Sequence, residues 1–145
     1  MPEPEEDEES GTVEEGILRG AYRIREGGKG RVRVQLLGSG TILREVQEAA
    51  ALLQQDFDIP ADVWSVTSFN VMRREAMDTD RWNRLHPLET PRSSYVQDCF
   101  GEVEGPVVAA TDYMAAIPDQ IRQWIPGRYV TLGTDGYGRS DGREA

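Results

Sequence analysis

The sequence predicts an open α/β sheet, mostly parallel, of about five strands with an antiparallel edge strand and helices on both faces. Three observations predict it. Short runs of strand character at 17–25, 31–37, 62–66, 106–110 and 128–132 alternate, after the first pair, with segments of helical periodicity. The run ending Leu36-Leu37 becomes fully apolar, and Asp62 to Val66 is rich in the β-branched and aromatic residues that a buried sheet prefers. Finally, 145 residues with 38% hydrophobic and 8% aromatic side chains suffice for one core and are too few for two.

At the N-terminus, residues 1–15 hold eight glutamates and aspartates, no basic residue and few large apolar ones. Such a composition cannot offset its own ordering entropy, so 1–15 reads as an acidic disordered linker and 16–145 as the folded domain. The net charge of -10 is concentrated there; the rest of the chain, with 16 basic and 18 acidic residues, is close to neutral. An acidic chain of this kind argues against nucleic acid or an anionic membrane as partner.

One cysteine, Cys99, cannot close a disulfide within the chain, and one histidine, His86, cannot join it in a four-ligand zinc pattern. No apolar stretch reaches the ~20 residues of a membrane span, and an acidic N-terminus is unlike a secretory signal. A reducing, cytoplasmic setting is expected.

Ile17 to Arg25, the turn Gly27-Gly28-Lys29-Gly30 and Arg31 to Leu37 read as strand, turn and strand, a hairpin whose Arg19, Arg23, Arg25, Lys29, Arg31 and Arg33 form a basic face. Such a face either engages an acidic partner or protects a solvated edge from aggregation. Next, Ile42, Leu43, Val46, Ala49, Ala50 and Leu53 recur at helical spacing, and Asp58-Ile59-Pro60 ends that helix. After the strand Asp62–Val66, Val71 to Met77 is weakly helical, interrupted by Asp78-Thr79-Asp80 and resumed over 81–85.

Ser93 or Ser94 caps a helix holding Tyr95, Val96, Cys99 and Phe100, which Gly101 to Gly105 closes. Pro106 to Ala110 is the fourth strand. Met114, Ile117, Ile121, Trp124 and Ile125 predict a helix over 113–125, kinked or begun at Pro118, and Arg128 to Leu132 is the fifth strand. The glycine-rich stretch 133–142 follows with no closing helix, so the fifth strand is expected to leave apolar surface for a partner or a missing segment.

Chemistry-bearing residues are few. Gly38-Ser39-Gly40-Thr41 sits at a strand-to-helix turn able to cradle a phosphate, yet it lacks the third glycine of a dinucleotide fingerprint and any Walker lysine, and Glu45 would repel an anion. Ser39, Thr67, Ser68, Thr111, Asp112, Thr134 and Asp135 fall at the carboxyl ends of strands, where ligands of open α/β sheets collect. Helix capping alone asks for the same residues at Ser39 or Thr41, Ser68 and Asp112. His86 has Glu89 nearby to orient it but no nucleophile beside it, and Cys99 reads as a buried apolar group. No catalytic, cofactor-binding or metal-binding residue is assigned from these patterns.

Several blocks, in order, resemble the homodimeric pyruvate dehydrogenase family, the thiamine-dependent decarboxylating component of the pyruvate dehydrogenase complex. They are Gln35 to Val46, Ser65 to Phe69, Arg81-Trp82-Asn83, Leu85 to Arg92, Ala110 to Met114, and Leu132 to Asp141. The resemblance runs from about Glu14 to the end. It implies the last of three α/β domains of a transketolase-like polypeptide, with the acidic tail as the linker before it and a truncation ahead of the final helical segment. The family's thiamine diphosphate and Mg²⁺ lie between its other two domains, in motifs this chain lacks, so the resemblance transfers no catalytic, cofactor or metal residue here.

The implied parent decarboxylates pyruvate oxidatively and acetylates the lipoyl group of the acyltransferase. This domain would be inactive alone and would support the homodimer, its partners being the other domains, the second subunit and the lipoyl-bearing acyltransferase. Two alternatives stay open: a free-standing protein-binding module using the basic hairpin, and the same domain from a related 2-oxo acid dehydrogenase.

Overall fold

The computed structural model describes residues 6–28 and 32–134. Lys29, Gly30, Arg31 and Asp135, and with them most of the glycine-rich stretch, lie outside the described residues. The elements are α1 (Glu6–Arg19), β1 (Ala21–Arg25), β2 (Val34–Gly38), α2 (Leu43–Phe57), β3 (Ala61–Val66), α3 (Phe69–Leu85), α4 (Tyr95–Phe100), β4 (Val107–Met114), α5 (Ala116–Asp119) and β5 (Tyr129–Thr134).

Five strands form one sheet in the order β1-β3-β2-β4-β5. β1 is antiparallel to β3, and the remaining pairs, β2 with β3, β2 with β4 and β4 with β5, are parallel. The mostly parallel sheet with its antiparallel edge is therefore as the sequence predicts. The hairpin is not: β1 and β2 lie on either side of β3 and never pair. Leu36 and Leu37 explain this, since both are buried, one on each face. A strand buried on both faces belongs at the centre, flanked by parallel neighbours.

Alternation along each strand sends side chains to two layers. Leu37, Val66, Val107, Ala109 and Tyr129 face α3, α4 and the short turns after β4, where Phe69, Met72, Val96, Phe100, Ile121 and Trp124 complete the larger core. Leu36, Val63 and Ala61 face the other way, against Val46 and Ala50 of α2. Roughly 1.5–3 kcal/mol accrues per large side chain so buried, which makes these two layers the main stabilising feature of the domain.

Three further differences have local causes. Residues 6–15, expected without regular structure, are helical within α1; glutamate is a good helix former and favours the positive end of the helix dipole. Gly20, at φ +112°, stops that helix, and its carbonyl accepts from the backbone N–H groups of Thr67 and Ser68 at 2.8 and 3.1 Å.

The helix expected in two pieces is one, α3. Thr79 donates to the Glu75 carbonyl at 3.0 Å, and Asp80 accepts from Trp124 Nε1 at 2.9 Å, so two of the polar triplet are bonded without leaving the helix. The helix expected over 113–125 is replaced by an extended β4, the single turn of α5 and a 3-10 turn at Arg122–Trp124. Pro118 contributes no N–H to a continuous ladder, and Tyr113 and Met114 complete the strand.

Candidate functional site

β2 continues through α2 to β3 on one side, whereas β4 and β5 lie on the other, so the order of the parallel strands reverses between β2 and β4. Crevices for ligands open at such reversals, beyond the carboxyl ends of the strands. Gly38 of β2 is in register with Ala110 of β4, which brings Ser39 to Thr41 beside Thr111 and Asp112.

There the side chains bond one another. Ser39 Oγ donates to Thr111 Oγ1 at 3.1 Å, and Thr111 Oγ1 also accepts from the Tyr113 N–H at 3.2 Å. Thr41 Oγ1 donates to Asp112 Oδ2 at 3.2 Å. Gly40 turns the chain between them at φ +60°, a conformation that suits glycine, with the Asp112 carboxylate close against its backbone. Capping does not account for Ser39, which makes no side-chain bond to the helical turn it precedes, or for Asp112, which lies in a strand.

The other strand-end residues are engaged elsewhere. Ser68 caps α3 by accepting from the Val71 N–H, and Thr67 Oγ1 donates to the Ile17 carbonyl at 2.8 Å. The reversal point is thus a polar clasp joining the β2 turn to β4. The Asp112 carboxylate, close to the Gly40 backbone, would repel a diphosphate held at this turn. Among the described residues no group of three or more His, Cys, Asp or Glu is placed to hold a metal ion. Among the described residues, this cluster therefore does not fit thiamine diphosphate or Mg²⁺.

Beside the clasp, an apolar groove of about 340 Å³ runs between α2 and strands β2, β4 and β5, lined by Leu36, Ile42, Val46, Val108, Ala110 and Leu132 among others. Leu132 is 54% exposed on this face, the uncovered surface the sequence predicts at the fifth strand. Its lining suits apolar side chains.

His86 is not oriented by Glu89. Its Nδ1 bonds the Trp82 carbonyl at 2.8 Å, so that nitrogen carries the proton, and the ring stacks on Trp82 at 4.2 Å between centroids. The i, i+4 spacing of Trp82, in α3, and His86, its C-cap, was the available signal for this stack. Cys99 is half-buried in α4, and its thiol is pushed up to about 11, chiefly by burial. A thiol so shifted is a poor nucleophile. Burial likewise raises Tyr95, whose hydroxyl donates to the Ala21 carbonyl at 2.5 Å.

Three arginines of the expected basic face, Arg19, Arg23 and Arg33, stand beside carboxylates among the described residues. Arg33 lies 3.2 Å from Glu26 and 3.5 Å from Asp62, Arg23 lies 3.8 and 4.0 Å from the same carboxylates, and Arg19 lies 3.2 Å from Glu15.

Comparison with known proteins agrees with this architecture. The family model described as the transketolase-like TK C-terminal domain matches residues 20–145. The pyruvate dehydrogenase E1 component of Pseudomonas aeruginosa is 59% identical over 134 residues, covering 91% of this chain and 15% of that protein. The E1 components of Cupriavidus necator and Escherichia coli K12 are each 52% identical with the same coverage. Transketolase from Campylobacter jejuni shares the fold, with a TM-score of 0.50 and 19% identity over 86% of this chain and 15% of that one. The chain spans about 15% of the length of the curated relatives it matches. It belongs to the transketolase-like C-terminal domain family and is homologous along most of its length to pyruvate dehydrogenase E1 components.

Proposed function

We propose that this chain is the C-terminal domain of a pyruvate dehydrogenase E1 component and is itself structural, supporting the homodimer rather than performing chemistry. The parent enzyme, a cytoplasmic thiamine-dependent oxidoreductase, decarboxylates pyruvate and acetylates the lipoyl group of its acyltransferase partner. Thiamine diphosphate and Mg²⁺ supply the decarboxylation chemistry from other domains. The observation that carries this reading is the 59% identity sustained over 134 residues. Residues 1–15 then connect this domain to another, and the apolar groove beside α2 packs against a different part of the parent enzyme.

The binding-module alternative is weakened by Arg23 and Arg33, which face Glu26 and Asp62 instead of presenting free charge. Calorimetric titration of the 145-residue chain with thiamine diphosphate and Mg²⁺ tests the structural role. No heat of binding is expected, and a saturable isotherm would overturn that role.

A further inference from the structure

The segment leaving α3 is held more firmly than a connecting loop requires. The Glu89 N–H donates to the His86 carbonyl at 3.1 Å, closing a turn with Pro87 at the position whose φ proline presets. Below it, the Asn83 side chain clasps the Arg92 backbone in both directions, donating to its carbonyl at 2.9 Å and accepting from its N–H at 2.8 Å. The Trp82 ring carries the stacked His86 and also receives the Arg92 guanidinium, 3.6 Å from the ring centroid. Together these contacts fix both stems of the 86–89 turn.

At its tip stands Leu88, 99% exposed, three residues beyond Leu85, itself 65% exposed. A turn of this kind accepts most residue types after the proline, so nothing in the turn itself requires leucine there. An isolated exposed leucine is unremarkable, but one displayed on a rigid stem has already lost the freedom that docking would otherwise cost. An apolar side chain held in place, with polar neighbours such as Glu89 and Arg92 in the sequence around it, suits an apolar contact with a polar rim.

The relatives extend far beyond the matched region, so most of such a polypeptide lies outside this domain. We propose that Leu88 is an anchor that seats in an apolar socket on the remainder of the E1 polypeptide. The proposal rests on the reading of this chain as one domain of that longer protein.

The test replaces Leu88 with the photo-crosslinker p-benzoylphenylalanine in the purified full-length polypeptide carrying this domain, and maps the crosslinks by mass spectrometry. Crosslinks to peptides outside the region of this chain are expected. Crosslinks confined to this region would put a second copy of the domain on Leu88 and overturn the proposal. No crosslink in a polypeptide whose intact mass far exceeds 16.2 kDa would overturn the anchor while leaving the domain reading standing, whereas a native mass of 16.2 kDa would overturn both. As a second readout, L88D should speed proteolytic release of the domain from the full-length protein about tenfold while L88M leaves it unchanged; equal rates for both would count against the anchor.

Discussion

The Gln35 side chain donates a 2.9 Å hydrogen bond to the carboxylate of Asp62, its register partner across the β2–β3 pair. Asp62 is only 2% exposed, accepts from the Gly27 N–H at 2.7 Å, and lies near Arg23 and Arg33; Gln35 in turn accepts from Trp64 Nε1 at 2.8 Å. This network ties the chain between β1 and β2 to the middle of the sheet. Removing the carboxylate leaves buried donors without partners, so Asp62→Ala should cost about 3 kcal/mol of unfolding free energy. Asp62→Asn, which keeps one acceptor, should cost about half as much; urea denaturation of the two variants checks the order.

Gly20 is held at φ +112°, and a methyl group there would meet the Ser68 carbonyl at 2.6 Å and the Met72 side chain at 2.7 Å. Gly20→Ala should destabilise the domain by about 1–3 kcal/mol. An unchanged melting temperature would show that the α1–β1 junction can relax.

The capping box of α4 joins Ser94 and Gln97 reciprocally: each side chain bonds the other residue's backbone N–H. Ser94 is fully buried, so Ser94→Ala should cost about 1–2 kcal/mol. Chemical denaturation measures this directly.

How much of this was legible beforehand differs by element. The strands announced themselves because β-branched and apolar residues cluster where a sheet is buried, and Ser94 announced α4 because capping is local chemistry. Pairing partners were harder. Gly27-Gly28 looks like a hairpin turn, yet Asp62, 35 residues away, takes the Gly27 N–H, and nothing near Gly27 signals it. The spacing from Met114 to Ile125 imitates a helix although Met114 is 44% exposed at a strand end, its face decided by neighbouring strands. At the reversal point, position at the strand ends identified Ser39, Thr111 and Asp112; their bonding to one another follows from the β2–β4 register, which is tertiary.

Folding holds the Cys99 thiol neutral, with its pKa raised from 9.0 to about 11 by burial. A group raised on folding stabilises the native state fully below its unfolded value and ceases to do so as pH climbs through the folded one. Stability should therefore fall between about pH 9 and pH 11, and less steeply in Cys99→Ala. Unfolding curves across that range check it. Alkylation by iodoacetamide at pH 8 should likewise run on the order of tenfold slower in the folded chain than in urea.

Identity of the native polypeptide is the most direct test of the central claim. An antibody raised against this chain should precipitate, from an extract of its source, a protein several times larger than 16.2 kDa together with pyruvate dehydrogenase activity and a lipoyl-bearing partner. Recovery of a 16.2 kDa product without that activity would contradict the account.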